Sequence, residues 1–349
     1  MSEPTSESEV IEAVRSHGRL LPVGAGTKSR LSSTDESTHR LDLRQLTGIT
    51  EYEASEYTIT ARAGTTLREI NATLAEKGQY LPFDPLWVES GATLGGTVAA
   101  NAAGPGRLRF GGVRDFVIGV RLIDGRGRTI RGGGKVVKNA AGFDLPKLMV
   151  GSLGTMGVMT EISCKVFPQP EAWSSREWTF SSHQEALKKA TELSRSRFEP
   201  DALEYVPAEC RLVLRSGGPA ESQEALNAAI GGDPGPDQSW WSERSEFTWA
   251  NNSSALIRIA TSPRQVTPLL EALTVVPDTQ IEVSAAGNTV WINSGETSQL
   301  DEILQKHRLT GLVHRGEASP LWLGIKIDRK IDAALQAVFD PEHRFAIAS

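Results

Sequence analysis

Residues 91–104 read GATLGGTVAANAAG: four glycines and five alanines in fourteen positions, no charge, and nothing larger than leucine. A turn needs one or two glycines, and a helix does not usually scatter four, so the stretch reads as a loop. A loop this bare expects something large and rigid against its backbone, where side chains would be in the way.

A second glycine-rich stretch, PVGAGTK at 22–28, follows the short apolar run RLLPV at 19–23. Read alone, Gly24 and Gly26 make a simple turn. With Thr27 beside them they can also present consecutive backbone N–H groups and a hydroxyl to an anion. A dinucleotide-binding fingerprint of the doubly wound type would need a third glycine where Ser29 stands, and a helix where the polar SRLSSTDESTHR follows. The Walker pattern fails too, because Gly134 and Lys135 are followed by Val136. Gly95 and Gly96, flanked by Thr93 and Thr97, are read as another concave array of donors. Two such loops about seventy residues apart suit a diphosphate held from both sides.

Charge points the same way. The net charge of −6 hides residues 105–150, which hold ten Lys/Arg against three Asp. That segment is either a solvated basic face or the dock of an anionic ligand. Nucleic acid is disfavoured, since only Phe110, Phe116 and Phe143 supply aromatic rings there and no binding module is recognisable. Cys164 and Cys210, the two cysteines, cannot ligate an iron–sulfur cluster and read as small buried hydrophobes. His17, His39, His183, His307, His314 and His343 are scattered without ligand spacing. There is no apolar run of transmembrane length. The acidic start MSEPTSESEVIEAV lacks the marks of a signal peptide, so a cytoplasmic protein is expected.

Hydrophobic periodicity predicts an α+β chain. Expected in the first half are a helix at 7–17, strands at 19–23 and 57–64, and a helix at 65–78 with Thr66 and Glu69 at capping-box spacing. A hairpin at 116–132, a helix at 144–150 and a strand at 158–167 follow. The run PQPEAW at 168–173 breaks the pattern and places a boundary at 172. Beyond it, helices are expected near 183–195, 219–230, 263–273, 297–307 and 328–338. Strands are expected near 203–206, 211–215, 255–260, 280–284 and 289–293. The stretch 231–246, with Trp240 and Trp241, reads as a long polar loop. No internal sequence repeat is visible.

These residues carry a family resemblance. PVGAGTK (22–28), GATLGGTVAANAAG (91–104), RFGGVRDFVIGVRLIDGRG (109–127) and KVVKNAAGFDLPKLMVGSLGTMGVMTE (135–161) occur in order. Together they resemble the FAD-binding domain of the vanillyl-alcohol-oxidase/PCMH flavoproteins, and within that family the FAD-binding subunits of glycolate oxidases. The likeness covers roughly residues 20–170. The ending VFDPEHRF (338–345) resembles the "FDP…F" close of the wider D-2-hydroxyacid dehydrogenase group.

The resemblance implies a two-subdomain PCMH-type FAD-binding domain over 1–172 and a smaller α+β cap-like domain over 173–349. It implies that Val23, Gly24, Ala25, Gly26 and Thr27 hold the FAD pyrophosphate. Gly91, Ala92, Thr93, Gly95, Gly96, Ala99, Ala103 and Gly104 would pass along the diphosphate, ribityl chain and flavin, with Pro85 flanking. Arg109, Gly111, Arg114 and Asp115 match an "R-Y-G-x-x-R-D" stretch, with Phe110 replacing Tyr; Gly157 and Val158 match a "G-T-L-G-I" turn. Arg114 and Asp115 read equally as a salt bridge anchoring the following strand. Members that link flavin covalently carry a histidine where Thr27 and Lys28 stand, so dissociable FAD is expected.

Catalytic members carry "H-A-G-D-G-N-L-H", whose histidines bind a metal. The matching stretch here, VSAAGNTV (283–290), puts Val283 and Val290 in their places. No metal site and no identifiable catalytic base are therefore expected. The implied role is an FAD-binding oxidoreductase subunit of a glycolate oxidase complex in glyoxylate metabolism, inactive alone. It would work beside a larger FAD-containing catalytic subunit and an iron–sulfur subunit, peripheral to the inner membrane through them. The alternatives are an assembly subunit with structural FAD and a stand-alone hydroxy-acid oxidase.

Overall fold

The computed structural model of the chain describes residues 1–33, 35–134, 144–316, 320–326 and 330–346. They form two compact units. The first comprises Met1–Ala103, Gly112–Gln169 and Asp328–Ser349, the second Gly104–Gly111 and Pro170–Ile327. Stretch 135–143 of the fourth motif, and the start of the helix expected from 328, lie outside the described residues.

The first unit begins with helix α1 (Glu7–Ser16), whose N-cap Ser6 accepts from the Glu9 amide and whose Val10, Ala13 and Val14 are buried. Strands β1 (Leu20–Val23) and β2 (His39–Asp42) pair in parallel, and β3 (Ile49–Glu53) pairs antiparallel with β4 (Thr58–Arg62). Helix α2 (Leu67–Ala75) is capped by Thr66, which accepts from the Glu69 amide, as the spacing predicts. After β5 (Gln79–Tyr80) comes a difference from the sequence reading. The bare stretch is not a loop throughout, because Leu94–Ala100 forms helix α3, with Thr93 as N-cap accepting from the Gly96 amide. Glycine is a poor helix former, but packing selects it here. A Cβ on Gly95 would lie 2.8 Å from the Ala63 Cβ.

One-turn helices α4 (Arg107–Phe110) and α5 (Val113–Phe116) lead into β6 (Val117–Ile123) and β7 (Thr129–Gly133), which pair as the predicted hairpin. Helix α6 (Leu145–Met149), β8 (Val158–Lys165) and β9 (Phe167–Pro168) follow. The main sheet runs β3-β4-β8-β6-β7.

The second unit contains strands β10 (Ala172–Thr179), β11 (Ala202–Val206), β12 (Arg211–Gly218), β13 (Asp233–Pro234), β14 (Ala255–Ala260), β15 (Gln280–Ser284), β16 (Thr289–Ser294), β17 (Thr310–Arg315) and β18 (Trp322–Gly324). Helices α7 (His183–Ser194), α8 (Gln223–Ile230), α9 (Gln238–Glu246), α10 (Pro263–Leu273) and α11 (Thr297–Lys306) join them. The sheet order is β13-β10-β12-β11-β15-β16-β14-β17-β18. The expected loop at 231–246 is mostly α9. Trp241 is 2% exposed there, and its Nε1 donates to Ser175 Oγ at 3.0 Å, which holds the helix on the sheet.

A repeat invisible in the sequence emerges in this order. β10-α7-β11, a 3-10 turn at Pro207–Glu209, then β12-α8 has the same plan as β14-α10-β15, a 3-10 turn at Ala285–Gly287, then β16-α11. In each half the third strand lies between the other two. The halves meet at Tyr205 opposite Val283. Each of these residues stands two positions before its own turn, so a local two-fold relates them.

Strand alternation gives the sheet two different faces. Leu203, Tyr205, Leu212, Leu214, Ile257, Ile259, Val283, Val290 and Ile292 pack with α7, α10 and α11 in one apolar core. Their neighbours Glu204, Arg215, Glu282, Asn293 and His314 lie on the other face, all buried.

The chain then returns to the first unit with α12 (Lys330–Phe339). The expected consecutive blocks 1–172 and 173–349 are thus replaced by interleaved segments, and the C-terminal motif supplies the reason. The Leu20 amide donates to Arg344 O at 2.6 Å and the Ala346 amide to Leu20 O at 2.7 Å. Phe345 joins Val10, Val14, Leu20 and Leu41 in the core. Fully buried Asp340 accepts from the Phe345 and Arg344 amides, closing the turn.

Candidate cofactor site

The turn after β1 and the start of α3 enclose a cleft of about 70 Å³, lined by Pro22, Val23, Gly24, Lys28, Leu31, Ser32, Leu43, Ala63, Thr93, Gly95, Gly96, Ala99, Ala100, Leu153, Gly154, Gly157 and Met159. Sites enclosing a drug-sized ligand measure roughly 300–1,000 Å³. This cleft has room for only one segment of a larger ligand, such as a diphosphate.

Its donors are on one side. The backbone amides of Gly24, Ala25, Gly26 and Thr27 donate no hydrogen bond within the protein among the described residues. Gly26 sits at φ +72, the left-handed conformation that turns successive amides to one side and favours glycine. The other expected array is already used. The amides of Leu94, Gly95 and Gly96 donate to Thr65 O, Ala63 O and Thr93 Oγ1, so that strip supplies shape rather than donors.

Gly24 and Gly96 explain the shape. A Cβ on Gly24 would fall 2.2 Å from Thr93 Oγ1, so only glycine lets the turn approach α3. A Cβ on Gly96 would meet only Thr93 Oγ1, at 3.1 Å, and would otherwise enter the cleft. Both leave a cradle that a side chain would fill, which fits a flat, anionic cofactor.

Lys28 is the one charged residue lining the cleft among the described residues. It is 6% exposed, its Nζ donates to Thr27 Oγ1 at 3.1 Å, and it lies 5.0 Å from the Trp87 ring centroid. Sequence reasoning assigned Lys28 no such role; a lysine directly after a glycine turn was the available signal. Arg30, equally buried, has its guanidinium pKa lowered by that burial.

Of the expected cofactor residues, Val23, Gly24, Thr93, Gly95, Gly96, Ala99 and Gly157 line the cleft. Ala25, Gly26 and Thr27 continue the turn. Gly91 and Ala92 lead into α3, and Pro85 bridges to Ala103. Val158 is turned into the core beside Leu20 and Ile123. Gly104, Arg109 and Gly111 fall in the second unit. There Arg109 Nη1 pairs with Asp201 Oδ1 at 2.8 Å. Burial pushes the Asp201 carboxyl up, and the Arg109 guanidinium works against that rise. Arg114 and Asp115 form no ion pair with each other among the described residues; Asp115 Oδ2 instead accepts from the Gly112 amide at 2.9 Å.

Val283 and Val290 face each other across β15 and β16 with their side chains in the helix-packed core. On the other face stand Glu204 and Glu282, at equivalent positions of the two halves. Burial pushes the Glu204 carboxyl up to about 8, with the Glu282 charge adding to the rise, against hydrogen bonds from Ser284 Oγ at 2.7 Å and the Ala285 amide at 3.1 Å. Burial likewise pushes Glu282 up to about 7, opposed by Arg244.

Comparison with known proteins defines the class. Residues 1–133 match the family model described as "FAD binding domain". The chain superimposes over 98% of its length on a solved structure of alkyldihydroxyacetonephosphate synthase, covering 75% of it, with a TM-score of 0.74 at 15% identity, a likeness of fold.

Within the class it is similar to hydroxy-acid oxidising relatives. It is 40% identical over 232 residues to "Glycolate oxidase subunit GlcE" of Escherichia coli (strain K12), covering 66% of this chain and 65% of that protein. It is 30% identical over 196 residues to "Glycolate oxidase subunit GlcD" of Bacillus subtilis (strain 168), covering 56% and 42%. To "D-lactate dehydrogenase" of Anaerostipes hadrus it is 28% identical over 169 residues, covering 48% and 35%. The chain thus spans just under two thirds of the first of these relatives and less than half of the others. No helix among the described residues is long and apolar enough to cross a membrane.

Proposed function

We propose that this chain is the FAD-binding subunit of a glycolate oxidase complex, supporting oxidation of glycolate to glyoxylate, with electrons passing to an iron–sulfur partner. The observation that carries the reading is the turn of unspent amides at Gly24–Thr27 beside Lys28, in a chain similar to two glycolate oxidase subunits. FAD, when bound, supplies an acceptor that takes two electrons and releases them singly.

The chain's own residues bind and orient. The amides of Gly24, Ala25, Gly26 and Thr27 receive the diphosphate, Lys28 balances its charge, and Gly95 and Gly96 leave room alongside. The flavin is dissociable in this reading, because Thr27 and Lys28 stand where covalently linking members carry a histidine.

Removal of the substrate's hydroxyl proton needs a positioned base. Val283 and Val290 provide none, and that step belongs to a larger FAD-containing partner subunit. Cys164 and Cys210 cannot hold a cluster, so the iron–sulfur centre belongs to another partner. Through these partners the chain is a cytoplasmic protein peripheral to the inner membrane.

The test is a visible spectrum of the purified chain, acid precipitation, and activity with and without co-expressed partners. Expected are flavin bands, yellow supernatant after precipitation, no bleaching by glycolate, and activity only in the complex. A colourless protein would sink the cofactor assignment, and rapid bleaching by glycolate would favour a stand-alone oxidase.

A further inference from the structure

The cofactor cleft and the diphosphate proposed for it do not match in charge. A dinucleotide's diphosphate carries two negative charges, and among the described residues Lys28 is the one cation lining the cleft. Space is short as well. About 70 Å³ encloses one segment of such a ligand, so the rest has to lie along the turn outside. The second charge falls to a group beside the Gly24–Thr27 turn, beyond the cleft's lining.

Strand pairing brings one there. β2 runs parallel to β1 with Arg40 opposite Leu21 and Asp42 opposite Val23, so β2 ends where the turn begins. Alternation puts Leu41 into the apolar core with Leu20 and Phe345 and leaves Arg40 on the other face. Its side chain reaches the turn itself. Among the described residues, the one atom within 4 Å of a Cβ built on Gly26 is Arg40 Nη2, at 3.7 Å. The guanidinium has little to hold there. Its ion-pair partner Asp42 lies 4.0 Å away. That carboxylate is already occupied by Arg44, whose Nε lies 3.0 Å from each oxygen, whose Nη2 donates at 2.8 Å and whose amide donates at 3.1 Å. Arg40 Nε is buried with no hydrogen-bond partner among the described residues. A charged donor shut from water without an acceptor is costly, and a phosphate is an acceptor that the guanidinium fork fits. The Arg40 side chain as a whole is 35% exposed, so a ligand on the turn can reach it.

We propose that Arg40 is the second cation of the cofactor site, its guanidinium taking the phosphate that lies over Gly26 while Lys28 takes the one at the cleft. Two positive charges then meet two negative ones, and the turn amides supply the hydrogen bonds between them. The inference rests on the flavin reading for the identity of the ligand.

The test titrates the full chain with FAD, read by flavin fluorescence, and separately with inorganic pyrophosphate, read by calorimetry. Arg40→Met keeps an unbranched stem against Gly26 and removes the charge. It should weaken both ligands about tenfold at low salt, and the gap from the parent chain should close as salt is raised. Arg40→Lys keeps the charge without the fork and should recover part of the loss. Thermal melts of both variants, expected close to the parent's, show that the fold is kept. An Arg40→Met chain that binds FAD as the parent does would overturn the role of Arg40 and leave the flavin reading standing. A loss that is the same at every salt concentration and unrelieved in Arg40→Lys would overturn it too, as the mark of a packing role. A parent chain that binds pyrophosphate through Arg40 but takes up no FAD would instead overturn the flavin reading and keep Arg40 as an anion-binding residue. A parent chain that binds neither overturns both.

Discussion

The two units handle polar groups in opposite ways. In the first, the candidate site is made of backbone: unspent amides at Gly24–Thr27, small residues that let them approach α3, and one lysine. In the second, the face of the sheet opposite α7, α10 and α11 is made of side chains, with Glu204, Arg215, Glu282 and His314 all at most 6% exposed. A site of amides tolerates change only where a Cβ has room. A face of buried carboxyls responds instead to pH and to the charge of what docks beside it.

The largest effects should come from crowding the amide turn. Gly24→Val drives a side chain into Thr93 and should abolish flavin binding together with a loss of stability of about 1–3 kcal/mol. Gly96→Val should also abolish flavin binding, yet melt close to the parent chain, because its Cβ meets only one protein atom. Flavin content and thermal melts of both variants check this. A Gly96→Val protein that keeps its flavin would remove α3 from the site.

Placing histidines where catalytic relatives have them should hurt rather than help. Val283→His with Val290→His puts two imidazoles into the core beneath α10, costing about 2–6 kcal/mol at roughly 1–3 for each unsatisfied polar group. Denaturant unfolding measures the loss. A double variant of parental stability that binds a divalent metal would contradict the strand faces described above.

A pH titration of stability sharpens the same comparison. The Glu204 carboxyl has its ordinary value of 4.5 raised to about 8 in the folded chain, and Glu282 is raised to about 7. The folded state therefore holds these protons more tightly than the unfolded one. Their contribution is complete below about 4.5 and is lost as pH rises through about 7 to 8. Each tenfold gain in proton affinity on folding is worth about 1.4 kcal/mol, so the second unit should lose a few kcal/mol of stability across that window. Glu204→Gln should flatten the slope. A slope unchanged in the variant would remove Glu204 as its source.

The smallest effect is expected at Lys28. Lys28→Met keeps the stem that lies against Trp87 and removes only the charge, so FAD affinity should fall about tenfold, roughly 1.4 kcal/mol. Flavin-fluorescence titration reads it, and an unchanged affinity would remove Lys28 from the groups that hold the anion.

Where signals are local, the sequence suffices. The Thr66–Glu69 cap spacing places α2, Pro263 opens α10, and alternation marks β14, β15 and the β6–β7 hairpin within a residue or two. The glycine turn at 24–26 is legible because φ at Gly26 and the approach to Thr93 are constraints written in residue type. Other features depended on partners far along the chain. Helix α3 was hidden because its Gly95 answers to Ala63. Strand β10 was hidden behind the Pro-rich run before it, and α9 behind a polar composition that Ser175 and the sheet make helical.

Which face each strand residue takes is decided by pairing between segments some eighty residues apart, so neither the Glu204–Glu282 pair nor the burial of Val283 and Val290 could be read beforehand. The return of Phe345 to Leu20 follows from the same cause. Propensity and turn chemistry act over a few residues and are written in order along the chain. Burial and register are properties of surfaces that exist only once distant segments meet.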